Sequence, residues 1–147
     1  MQARLDWSKS SPEVQRAMYA LERSVRELGL EPSLVHLIKI RASQLNGCAY
    51  CVDSHVKEAR KDGHSEQWVT MISAWQESPR FTPKERAVLE WTEALTLLAA
   101  SRAPDAAFEG LKPHFSEKEI VNLTHAISTI NAWNRIGVGF RMQHPVD

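Results

Sequence analysis

Cys48 and Cys51 stand at i and i+3 with His55 four residues further on, and no other residues of the chain are as well suited to covalent chemistry. On a helix these spacings put all three side chains on one stripe, and two Cα atoms three residues apart fall inside the roughly 4.4–6.8 Å that a disulfide accepts. The pair can pass between dithiol and disulfide with little backbone movement. An imidazole at i+4 can take a thiol proton or hold a thiolate as its ion pair. His36 lies twelve residues before Cys48, and an antiparallel helical hairpin through Asn46-Gly47 brings it back toward the stripe as a fourth candidate.

If the helix begins near Asn46, its free N–H groups and positive dipole end favour a thiolate at Cys48, which nominates that thiol as the more acidic. Two other readings of these residues stay open. The cysteines can be inert apolar core, or Cys48, Cys51, His55 and His36 can supply a Cys₂His₂ zinc set, although three ligands on one helix crowd a tetrahedron. A haem attachment is excluded because Val52 follows Cys51, and a thioredoxin-like setting is disfavoured because no strand pattern surrounds the motif.

The elements that must position these residues read as helices throughout. Ser11-Pro12 opens the first, with Val14, Met18, Leu21, Val25 and Leu28 at spacings of three and four. A second runs from Pro32 to Leu45 and stops at Asn46-Gly47; a third starts at or just before Cys48, capped by Asn46 or Gly47, and ends at Asp62-Gly63. Trp68 to Trp75 forms a fourth. Thr82-Pro83-Lys84-Glu85 is a capping box opening a fifth helix through Leu98, Pro104 to Lys112 a short sixth, and Ser116-Glu117-Lys118-Glu119 a second box opening a seventh to about Gly137. No stretch alternates with period two. The expectation is a single all-α domain of about seven helices over residues 1–147, with the CxxC at the start of a helix after a hairpin turn.

Eighteen basic residues balance eighteen acidic ones, so nothing global draws the chain to nucleic acid or an anionic membrane. Its amino terminus lacks a signal-length apolar core, and the longest apolar-leaning stretch, Ala94 to Ala100, is too short to span a bilayer. A cytoplasmic location is expected. Both cysteines lie in one C-x-x-C rather than in the spaced framework of small secreted domains.

The run Ile38 to Cys51, extended through His55, resembles the alkylhydroperoxidase D-like branch of the carboxymuconolactone decarboxylase family. The resemblance continues in Trp75 to Pro79, Glu85-Arg86-Ala87, Trp91 to Ala94 and Ile130 to Arg135, in order across residues 15–140. It implies an all-α fold and a thiol peroxidase or disulfide reductase that needs no bound cofactor. In such a protein Cys51 attacks the hydroperoxide and becomes a sulfenic acid, and Cys48 resolves it to a disulfide. A dithiol protein, lipoyl-bearing or thioredoxin-like, then reduces that disulfide. The resemblance also implies a homo-oligomer, with a hexamer favoured over a trimer. Its rivals are a cofactor-free lyase of the same superfamily and a non-enzymatic redox-sensing or zinc-stabilised oligomer.

This chain departs from the family pattern at two positions. His36 stands where the family's proton relay has a glutamate, and Tyr50 stands between the cysteines where the peroxidase archetype has histidine. A neutral imidazole at 36 can orient His55 but brings no negative charge, so the expectation is that His36 modulates the site and that His36→Glu raises the rate. Among the remaining candidates, His125 reads as an ordinary hydrogen-bonded histidine and His64, His114 and His144 as surface residues. Trp68, Trp75, Trp91 and Trp133 read as core or interface packing, and Asp53, Glu58, Glu90 and Glu93 as solvated or ion-paired faces.

Overall fold

Proline and a capping side chain set where most of the long helices begin. In the computed structural model, which describes residues 2–146, Pro12, Pro32 and Pro83 each sit in the first turn of their helix, where a missing N–H costs nothing. The helices are α1 (Trp7–Ser10), α2 (Pro12–Glu27), α3 (Pro32–Asn46), α4 (Ala49–Lys61), α5 (Glu66–Met71), α6 (Pro83–Thr96), α7 (Leu98–Ser101), α8 (Asp105–Glu109) and α9 (Glu117–Phe140). One 3₁₀ turn, Ile72–Ala74, follows α5, and the described residues contain no strand.

Both capping boxes form as their sequences require. Thr82 Oγ1 accepts the Glu85 N–H while the Glu85 carboxylate accepts the Thr82 N–H, and Ser116 and Glu119 repeat the arrangement at α9. Each cap is worth about 1 kcal/mol to its helix. Ser11 occupies the cap position of α2, but its hydroxyl donates to Glu13 Oε2.

The structure divides the chain more finely than seven helices. α1 is a single turn held by Asp6, which accepts the Lys9 N–H, and one turn leaves no apolar periodicity to read. The helix expected to run through Leu98 breaks at Leu97, whose ψ of 31° interrupts α6 before α7; Leu95 and Leu98 keep helical spacing across the break and so conceal it. α9 continues past Gly137 to Phe140.

α3 lies at the centre and packs against α4, α6 and α9. Its buried residues include Leu34, Leu37, Ile38, Ile40, Ala42 and Ser43, so it is covered on most faces rather than along one stripe. The α3–α4 turn uses Gly47 in the left-handed region (φ 67°), where the Gly47 N–H returns to Gln44 O and the Cys48 N–H to Ser43 O. A helix stopped this abruptly delivers Cys48 directly above α9.

Candidate active site

Cys48 is not inside α4 but is its N-cap. Its Sγ accepts the backbone N–H of Cys51 at 3.3 Å, and its carbonyl accepts the Val52 N–H. The cap is therefore the cysteine itself, where the sequence pattern pointed to Asn46 or Gly47. Asn46 instead binds α9, its Nδ2 donating to Asn131 Oδ1 and Asn134 Oδ1, and Asn134 Nδ2 donates to Ser43 Oγ. Asn131 Nδ2 donates in turn to Thr96 Oγ1 of α6. These amides tie the end of α3 to α6 and α9 one residue before the turn.

Cys48 and Cys51 form a disulfide with Cα atoms 5.3 Å apart, and both are buried. α9 reaches the disulfide at Gly137, where a Cβ would stand 2.6 Å from Cys48 Sγ and 3.3 Å from Cys51 Sγ. Only a residue without a side chain lets α9 approach this closely. The sequence pattern suggests a helix end at this glycine; its burial inside α9 gives it a packing role instead.

Cys51, and not Cys48, opens into a cavity of about 170 Å³. Its apolar walls are Trp7, Tyr19, Trp133, Tyr50 and Met142, with Trp7 and Tyr19 meeting the Trp133 ring edge-on at 5.8 and 5.7 Å. Trp133 thus belongs to the site as well as to packing, and Trp7 joins it from the turn that sequence did not reveal. A cavity of about 150 Å³ holds a benzene ring, so this one admits a small organic molecule.

The polar wall is built by α2, α3 and α4. Lys39 Nζ bonds Glu22 in a pair that is largely buried, which leaves little uncompensated charge there. His55 lines the same cavity, and its Nδ1 lies 2.9 Å from Glu58 Oε2. The hydrogen bond to His55 is the main cause holding the Glu58 carboxyl below its usual range, with Lys39 and His36 adding positive potential.

His36 neither lines this cavity nor hydrogen-bonds to His55. It is buried, its Nε2 lies 2.8 Å from Asp62 Oδ2, and its Nδ1 has no partner. The ring is thus held through Nε2, while Nδ1 is a buried polar atom left unsatisfied. Its neighbour His64 is not a free surface residue, since it stacks on Trp68 at 3.9 Å and meets His36 edge-on at 5.5 Å. His125 Nε2 lies 2.8 Å from Ser24 Oγ, away from the cavity.

Among the described residues no group of three or more His, Cys, Asp or Glu is arranged to hold a metal ion. The residues weighed as a zinc set are otherwise engaged here, the two sulfurs with each other and His36 with Asp62. Of the other acidic residues, Glu93 is ion-paired, accepting from Arg41 Nε and Trp75 Nε1. No helix among the described residues is long and apolar enough to cross a membrane.

An all-α fold that buries a C-x-x-C disulfide at the start of a helix, open on one sulfur to a cavity shared with a histidine, defines a helical dithiol protein. The sequence model of the carboxymuconolactone decarboxylase family matches residues 12–94, and the chain belongs to that family. It is 37% identical over 138 residues to the uncharacterized protein YdfG of Bacillus subtilis, covering 94% of each chain. A crystal structure from Agrobacterium tumefaciens, of a protein of unknown function suggested to be the antioxidant defence protein AhpD, superposes with a TM-score of 0.98 at 56% identity. That match covers 99% of this chain and 100% of the other. The debrominase Bmp8 shares the fold, with a TM-score of 0.83 at 20% identity over 92% of this chain and 73% of its own.

Proposed function

We propose that this protein is a thiol-dependent hydroperoxidase whose C-x-x-C cycles between dithiol and disulfide. The observation that carries the reading is the asymmetry of the disulfide: Cys51 alone faces the cavity that His55 also lines, while Cys48 lies behind it against Gly137. A peroxide entering the cavity meets Cys51 first.

The Cys51 thiolate attacks one peroxide oxygen, the O–O bond breaks, and the alkoxide leaves as an alcohol with a proton that His55 supplies. Cys51 is then a sulfenic acid. Cys48 attacks its sulfur, the S–S bond forms and water leaves. Two electrons from a dithiol protein, lipoyl-bearing or thioredoxin-like, restore both thiols. The apolar walls suit an organic hydroperoxide with a body about the size of one ring.

The same reading includes a reducing, cytoplasmic setting and a homo-oligomer, with a hexamer favoured. Support for assembly comes from an open aliphatic groove along α6, α7 and α9, where Leu97 and Leu98 are exposed.

A stoichiometric peroxide pulse on the reduced protein should consume two thiols per chain, and a sulfenic-acid trap should label Cys51 in Cys48→Ser. Thiols that survive the pulse would sink the peroxidase. Labelling of Cys48 in Cys51→Ser, without the converse, would reverse the roles. Turnover of a lactone or carboxylate substrate that persists without both cysteines would favour a lyase.

A further inference from the structure

We propose that Glu58 is the positioning carboxylate of this site, holding His55 so that its second ring nitrogen serves Cys51. The inference rests on the dithiol reading for the identity of the reacting sulfur, but not on which electrophile that sulfur attacks.

Cys51, His55 and Glu58 follow one another at spacings of four and three on α4, and all three line the same cavity. A carboxylate can only accept, so the 2.9 Å contact places the neutral ring's proton on Nδ1 and leaves Nε2 with a bare lone pair. Nε2 is then the nitrogen free to take a thiol proton. Sulfur, imidazole and carboxylate stand in the order of a nucleophile, its base and the group that orients the base.

Among the described residues, the other carboxylates near the cavity are bonded elsewhere. Glu22 of α2 is engaged with Lys39 of α3, and Asp62 with His36. The remaining titratable or charged groups on the cavity wall are Tyr19 and Arg26 of α2 and Tyr50 of α4, none of which accepts as a carboxylate does. Among the described residues, Glu58 is the one carboxylate bonded to His55. The negative charge that the family resemblance leads one to seek on α3, at position 36, comes in this chain from α4 itself.

The plain alternative is an exposed i,i+3 pair, since half of the Glu58 side chain is open to solvent. Such a pair contributes roughly 0–1 kcal/mol to stability and has no reason to alter a thiol. The two accounts separate on a readout that needs no peroxide.

In a Cys48→Ser background, alkylation of Cys51 by iodoacetamide is followed across pH, and ¹⁵N NMR of His55 reports which ring nitrogen carries the proton. Replacing Glu58 by alanine should mix the tautomers and slow alkylation at neutral pH about tenfold, the lower end of what losing a group that orients a histidine costs. Glu58→Gln keeps an acceptor oxygen and should retain more of both signals than Glu58→Ala. Wild-type tautomer and alkylation profile in Glu58→Ala would overturn the proposal. If the wild type consumes no peroxide while Glu58→Ala still slows alkylation, the peroxidase reading fails and the positioning role stands.

Discussion

Gly137 of α9 touches Cys48 so closely that a single added carbon would stand 2.6 Å from the sulfur. Alanine in place of glycine inside a helix ordinarily stabilises by about 1 kcal/mol. Here the sign should reverse. Gly137→Ala is expected to lose about 1–3 kcal/mol, because α9 or the cysteines must shift in a packed interior. Urea denaturation of the oxidised protein checks this, and a stabilised variant would show that α9 yields freely.

Asn134 is buried and serves both Asn46 and Ser43. Asn134→Ala removes an acceptor and a donor at once, leaving the buried Ser43 hydroxyl without its Asn134 donor and the half-buried Asn46 with Asn131 alone as acceptor. The expected loss is about 1–3 kcal/mol in urea denaturation, against about zero for an exposed asparagine.

At position 36 the structure changes the expectation drawn from the family pattern. His36 is turned to Asp62 at 2.8 Å, so His36→Glu sets a buried carboxylate against one half open to solvent instead of serving His55. Cys51 alkylation should not speed up. Stability at neutral pH should fall, with part of it returning in mild acid as the two carboxylates share a proton. A faster thiol in this variant would restore the relay role of position 36.

Burial pulls the His64 imidazole down from its ordinary value, and the positive potential of His36 adds to the effect. The unfolded chain therefore binds this proton first as pH falls. The contribution is fully present above the unfolded value of about 6.5 and is lost as pH drops through the lower folded value. His64→Phe keeps a ring on Trp68 but cannot titrate, so its unfolding free energy should vary less with pH below about 6.5. An unchanged slope across a series of denaturation curves would assign the effect to another group.

The helical fold and the order of the reactive stripe were legible because both are short-range. The two capping boxes, the prolines at helix starts and the spacing of Cys48, Cys51 and His55 are fixed within a few residues of chain. What escaped sequence reading depends on neighbours distant in the chain or ambiguous in type. Glu58 three residues after a histidine looks like any solvated charge, and only the cavity around it shows that its partner is a candidate base. Gly137 looks like a helix terminator, and its meaning lies in a sulfur 89 positions away, the difference between 137 and 48. Trp7 sits in a single turn, too short for any periodicity, yet reaches the cavity across from α4.

Cys48 Sγ accepts the Cys51 N–H and so begins the helix that carries His55 and Glu58. Redox atom and helix cap are one atom. Each electron pair that enters or leaves this sulfur alters the acceptor strength felt by that amide, which makes the Cys51 proton an internal gauge of oxidation state. The sulfur that would exchange electrons is thus also an anchor of the helix that carries the base.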